Sequence, residues 1–151
     1  MNSAQEDIRG LDLSNSLIPS WDVVAKIVSE LPALERLALK YVQSVSYATG
    51  CYEFPRSRTR LSLPTEMDRM TSAFPNLVEL QLNRTMTSWS TMVAITSLMP
   101  RLQVVEMGHN QISLLRAVDN HAGMSIQTVN LDGNLCNDWV HLYECLRLYP
   151  T

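Results

Sequence analysis

Leu102-Gln-Val-Val105-Glu-Met107-Gly-His-Asn110-Gln-Ile112 places apolar residues at relative places 1, 4, 6 and 11 and an asparagine at place 9. Places 4 and 6 alternate inward from a short strand, which leaves places 3, 5 and 7 to point outward. The Asn side chain can hydrogen-bond the backbone amides left unpaired where the chain turns off that strand.

The same register recurs at Ile8-Leu11-Leu13, Leu34-Leu37-Leu39, Leu77-Leu80-Leu82 and Ile126-Val129-Leu131. The five copies start at 8, 34, 77, 102 and 126, so the intervals are 26, 43, 25 and 24 residues. Three of these four fit the leucine-rich-repeat pattern, L-x-x-L-x-L-x-x-N-x-L. Place 9 reads Ser16, Val42, Thr85, Asn110 and Asn134, so only the last two copies carry the full turn signal. Place 11 reads Ile18, Ser44, Thr87, Ile112 and Cys136, and the second copy is degenerate beyond its strand.

A second periodicity runs through the return limbs. Trp21, Trp89 and Trp139 each stand 11 residues before a proline, namely Pro32, Pro100 and Pro150. Each Trp follows a residue type suited to an N-cap: Ser20, Ser88 and Asp138. Inward stripes are expected at Val24-Ile27-Val28-Leu31, Met92-Ile95-Thr96-Met99 and Leu142-Cys145-Leu146-Tyr149. Pro64 to Pro75 repeats the stripe without its Trp, as Met67-Met70-Thr71-Phe74. Each unit therefore reads as strand, turn, amphipathic helix of about three turns, and a proline stop. The predicted class is α/β: a leucine-rich-repeat solenoid or horseshoe, with a parallel sheet on its concave face and helices on its convex face.

At 151 residues the chain is expected to be one repeat domain spanning 1–151. The long interval implies an insertion near 45–61 carrying Tyr47, Tyr52, Phe54, Arg56, Arg58 and Arg60. The limb from Ser113 to Ser125 lacks the Trp-to-Pro pattern and is expected to be short and irregular. Pro150-Thr151 stops one residue short of the Leu that follows Pro32, Pro75 and Pro100 by two, so the chain is expected to be a fragment of a longer one. Net charge is −3, which offers no basic footprint for nucleic acid or an anionic membrane surface. No apolar run approaches the roughly 18–20 residues of a membrane span. Cys51, Cys136 and Cys145 form an odd set without paired spacing, which fits a reducing compartment.

No phosphate-binding, dinucleotide-binding or H-E-x-x-H pattern is present, and His109, His121 and His141 are spread 12 and 20 residues apart without motif spacing. No catalytic residue, cofactor site or metal site is expected, and the chain is not expected to be an enzyme. The outward strand positions form rows instead. Place 5 gives Asp12, Ala38, Gln81, Glu106 and Asn130, and place 7 gives Ser14, Lys40, Asn83, Gly108 and Asp132. With Arg36, Tyr41, Glu79, Arg84 and His109 beside them, these rows are the predicted partner-binding floor. Their mixed polarity suits a protein surface.

Three stretches carry a closer likeness. Leu11-Asp-Leu-Ser-Asn-Ser-Leu-Ile-Pro-Ser-Trp21, Leu80-Gln-Leu-Asn-Arg-Thr-Met-Thr-Ser-Trp89 and Val129-Asn-Leu-Asp-Gly-Asn-Leu-Cys-Asn-Asp-Trp139 resemble the repeats of the tubulin-folding cofactor E family, also called tubulin-specific chaperone E. The likeness runs from about Ile8 to Pro150, with the second copy as a departure. It implies a cytoplasmic, cytoskeleton-associated protein that binds α-tubulin with other tubulin-folding cofactors and helps assemble or dissociate the tubulin heterodimer. It also implies a glycine-rich domain before the repeats and a ubiquitin-like domain after them, neither of which is in this sequence. The expected partners are α-tubulin and those cofactors, with no nucleic acid and no membrane, and the chain is expected to be a monomer. The alternative is a generic cytosolic leucine-rich-repeat adaptor, resembling phosphatase-regulatory or splicing-factor repeat proteins.

Overall fold

A computed structural model describes residues 7–41, 61, 72–115, 125–137 and 140. Five strands appear in these residues: β1 (Gly10–Asp12), β2 (Arg36–Ala38), β3 (Glu79–Gln81), β4 (Val104–Glu106) and β5 (Thr128–Asn130). Two helices accompany them, α1 (Trp21–Val28) after β1 and α2 (Trp89–Thr96) after β3. The strands form one sheet in the order β1-β2-β3-β4-β5, and every pairing is parallel. Leu11, Leu37, Leu80, Val105 and Val129 stand opposite one another along this sheet. That is the row of place-4 residues expected from the repeats, with no slip of register. A one-residue slip would have turned every leucine outward.

Places 1, 4 and 6 of the second to fourth copies form the core. Leu34, Leu37, Leu39, Leu77, Leu80, Leu82, Leu102, Val105 and Met107 are all buried, in one cluster with the inner faces of both helices. The first copy differs. Ile8 is 37% exposed where Leu77 and Leu102 are fully covered, and Leu11 and Leu13 are only partly buried. Among the described residues β1 has a single strand neighbour, β2, and its inward residues are less covered than those of β2 to β4.

Trp21 and Trp89, the two described tryptophans, are core residues, as a buried position at each helix start requires. Trp21 is fully buried with its ring edge-on to Phe74, the centroids 6.4 Å apart, and Trp89 is 3% exposed. The helices are shorter than the expected three turns. Each has eight residues and passes into a turn before its proline. In α2 the expected stripe holds, with Met92, Ile95, Thr96 and Met99 buried. In α1, Ile27 is 36% exposed and Ala25 takes its place in the core, because that flank of α1 lies at the same uncovered edge as Ile8. Ser88 caps α2, its hydroxyl accepting a bond from the Thr91 amide at 3.2 Å. Ser20 has the extended backbone of a cap and makes no side-chain cap bond.

The turn after each strand repeats a conformation that the leucine pattern does not announce. Place 8 is occupied by Asn15, Tyr41, Arg84, His109 and Gly133, with φ of 59°, 56°, 59°, 57° and 63°. Only one of the five is glycine, so four side chains sit in the left-handed region at a cost of about 1–2 kcal/mol each. Cross-strand backbone bonds hold them there. The amides of Asn15, Tyr41, Arg84 and His109 donate to Lys40, Asn83, Gly108 and Asp132 in the next copy, at 2.8 to 3.2 Å.

Place 9 then closes the turn. Ser16, Thr85, Asn110 and Asn134 each donate from the side chain to their own place-6 carbonyl, on Leu13, Leu82, Met107 and Leu131. The asparagines also reach backward. Asn110 Oδ1 accepts from the amides of Thr85 at 2.9 Å and Thr87 at 3.3 Å, and its Nδ2 donates to the Leu82 carbonyl at 2.8 Å. Asn134 does the same for Asn110, Ile112 and Met107. A hydroxyl has one donor where the amide has two, and Thr85 Oγ1, besides closing its own turn, bonds Thr87 Oγ1 and Asn110 Oδ1 of the next copy.

Two expectations lie outside the described residues: the insertion apart from Leu61, and the Trp139 helix apart from Val140. The Pro64 helix is described only at Ser72 and Ala73, next to the buried Phe74. Of the limb from Ser113 to Ser125, residues 113–115 and 125 are described and non-helical.

Candidate functional site

Because places 4 and 6 enter the core, places 3, 5 and 7 face away from it. All thirteen residues expected at the partner-binding floor lie within the described residues, on this face or at its rim. Asp12, Arg36, Glu79, Gln81, Glu106 and Asn130 sit on the strands themselves. Ser14, Lys40, Asn83 and Asp132 follow at place 7, and Tyr41, Arg84 and His109 stand at place 8, on the rim where the strands end.

The strand-borne carboxylates are each held by a neutral donor. Asp12 Oδ1 accepts from the Ser14 amide at 2.8 Å. Hydrogen bonds from the Ser14 hydroxyl and amide hold this carboxyl below the usual carboxylate range, and the Lys40 charge adds to the effect. Gln81 donates to Glu79, and Asn130 Nδ2 donates to Glu106 Oε2 at 2.7 Å. The amides fix carboxylate direction without neutralising charge. Among the described residues Arg36 makes no hydrogen bond or salt bridge through its guanidinium. It borders an open depression of about 330 Å³ over β1 to β3, floored by Gly10 and Ala38 and edged by Asp12, Glu79 and Gln81.

Two expected contact residues also have structural tasks. Asn83 Oδ1 accepts from the Gly108 amide at 2.5 Å, and a Cβ at Gly108 would come within 3.0 Å of that oxygen. Gly108 is therefore a close-approach position. At the rim, the Arg84 guanidinium lies over the Tyr41 ring, 5.3 Å from its centroid. The His109 imidazole covers Gly133, where an added Cβ would meet Nδ1 at 2.3 Å, and its Nε2 is 3.9 Å from Asp132 Oδ2.

The leucine register missed a set of ties on the other edge of the strands. Asn76 Nδ2 donates to the Pro32 carbonyl, Ser125 Oγ to the Pro100 carbonyl, and Arg101 to Asn76 Oδ1. Arg9 and Glu35 pair there at 2.8 Å. The available signal was the residue after each proline, which is polar at Asn76 and Arg101. Cys136 holds a half-buried place, where burial pushes its thiol pKa up. No helix among the described residues is long and apolar enough to cross a membrane.

The arrangement defines an α/β protein of recurring strand units in one parallel sheet, with a polar outward face. The chain is similar to tubulin-specific chaperone E of Xenopus laevis, 29% identical over 133 residues, which is 85% of this chain and 22% of that protein. It is 31% identical to tubulin-specific chaperone E of Bos taurus over 106 residues, covering 70% of this chain and 17% of the other. Against tubulin-folding cofactor E of Arabidopsis thaliana it is 25% identical over 151 residues, 98% of this chain and 25% of the relative. The resemblance carried by the Leu-Asp-Leu-Ser and Ser-Trp stretches therefore extends over most of the chain, which spans about a fifth of the length of these relatives. No family model matches the chain, and no solved structure does.

Proposed function

We propose that this chain is a leucine-rich-repeat solenoid whose outward sheet face docks tubulin during folding or assembly of the heterodimer, with α-tubulin as the subunit contacted. The observation that carries the reading is the unbroken five-strand register, which sets the outward residues of all five copies side by side. The names of the relatives supply the partner. On this reading the chain is a non-catalytic scaffold. Binding energy directed at one conformational or assembly state of the partner shifts its population, with no covalent step required. The scaffold works in the cytoplasm as a monomer, alongside other tubulin-folding cofactors.

The test is retention of αβ-tubulin by the immobilised chain, with folding verified by circular dichroism. Retention of tubulin, and of α-tubulin after the heterodimer is dissociated, is the expected result. A folded chain that retains neither refutes the tubulin reading and leaves a leucine-rich-repeat adaptor for another protein.

A further inference from the structure

The rim at the ends of β2 to β4 differs in charge from the floor beside it. Lys40, Tyr41, Arg84 and His109 occupy successive places 7 and 8 there. Glu79 at place 3 and Glu106 at place 5 start ~13–17 Å and ~7–10 Å back along the strands at ~3.3 Å per residue, and among the described residues neither is salt-bridged to the rim. Asp132 approaches the rim only at its far end, facing His109. Asp12 is near enough to Lys40 to feel its charge, yet no salt bridge joins them.

Three features make this rim more than a solvated stripe. The left-handed backbone at Tyr41, Arg84 and His109 is held by cross-strand bonds, so the side chains leave the sheet from fixed points. The Arg84 guanidinium lies over the Tyr41 ring, which restrains it, and among the described residues it makes no salt bridge. Arg84 leans toward Tyr41 and His109 leans over Gly133, so these two neighbouring side chains point away from each other. A restrained guanidinium, an ammonium and an imidazole in a row, with an aromatic face among them, match a line of carboxylates.

We infer that this rim is the docking site for an acidic segment of a protein partner, with Arg84 and Lys40 receiving carboxylates and Tyr41 and His109 flanking them. The inference rests on the reading of the sheet face as a protein-docking surface and names the chemistry of what docks there. The probes are a fluorescein-labelled ten-residue oligoglutamate peptide, a Gly-Ser peptide of equal length, a ten-nucleotide single-stranded RNA and αβ-tubulin, each titrated by anisotropy or retention. The chain should bind oligoglutamate and not the Gly-Ser peptide, and raising NaCl from about 50 to about 200 mM should weaken that binding. The double variant Lys40→Glu/Arg84→Glu should lose about tenfold or more in affinity. Lys40→Gln/Arg84→Gln, which removes charge without reversing it, should fall between, with an unchanged circular dichroism spectrum. Absence of oligoglutamate binding, equal affinity for the RNA, or indifference to both double variants overturns the rim site. Tubulin retention that survives both variants overturns the rim while sparing the tubulin reading. Rim-dependent oligoglutamate binding by a chain that ignores tubulin supports the rim and refutes the tubulin reading.

Discussion

Asn110 shows how one side chain can hold two copies together. It is 4% exposed and satisfies two amides and one carbonyl of the preceding copy besides a carbonyl of its own. Asn110→Ala strands these groups in the interior, so it should cost about 2–4 kcal/mol in urea denaturation, since each buried unpaired group costs about 1–3. Asn130→Ala removes two solvent-facing bonds, to Glu106 and from the Asp132 amide, and should cost about 1 kcal/mol or less. Equal losses would show that the ladder adds nothing to stability. Asp12 gives a pH effect of known sign. Its folded pKa is depressed, so its contribution is present above the ordinary value near 3.8 and is lost as pH falls below that. Asp12→Asn should therefore flatten part of the acid limb of stability measured between about pH 5 and pH 2. At this scale the sequence was half readable. Asn110 and Asn134 announce their turns because an amide supplies two donors together with an acceptor, where a hydroxyl has a single donor. The left-handed place 8 went unseen because cross-strand bonds, rather than glycine, enforce it in four copies of five.

The two helices start with the same Ser-Trp pair, yet their counterpart residues differ in worth. Ile27 and Ile95 both stand six residues after Trp, with 36% and 0% exposure. Ile95→Ala should cost about 2–5 kcal/mol, as a truncation in a closed core does, and Ile27→Ala about 1 or less. The caps should split likewise. Ser88→Ala removes the bond to the Thr91 amide and should cost about 1 kcal/mol, while Ser20→Ala has no such bond to lose. Both pairs can be ranked by chemical denaturation midpoints at constant m. Equal costs within a pair would mean that place in the stack does not decide energetics. Spacing reads periodicity within a helix but carries no mark of which flank has a neighbour. That is why the stripe is right for α2 and wrong by one residue for α1.

Across the whole chain, strand order and register were the most legible features. Alternation at places 4 and 6 gives an inward row only in one register, and each copy's neighbour in sequence is its neighbour in the sheet. The outward rows followed from the same alternation, whereas the side-chain partners within them did not, because pairs such as Arg84 with Tyr41 depend on the interval of 43 closing to one strand spacing. Stacking also makes stability a matter of neighbours, since each unit is held by those on either side. β1 has one strand neighbour and a half-covered inward face, while β3 has two and a buried one. Amide hydrogen exchange should therefore grade along the sheet. The amides of Leu39, Leu82 and Met107, bonded at 2.7 to 2.8 Å to the next copy, should exchange slowest. The amide of Leu13, bonded to Ala38 at 2.9 Å, makes the same kind of bond at the edge and should exchange at least tenfold faster, a difference of about 1.4 kcal/mol in opening free energy. Bond length cannot produce that difference, because the four bonds are alike; the thinner cover over β1 among the described residues can. Leu80→Ala should then accelerate exchange on both sides of β3, and Leu11→Ala only at β1 and β2. Uniform protection across the five strands, or a β1 that outlasts β3, would mean that the sheet opens as one unit rather than from its edge.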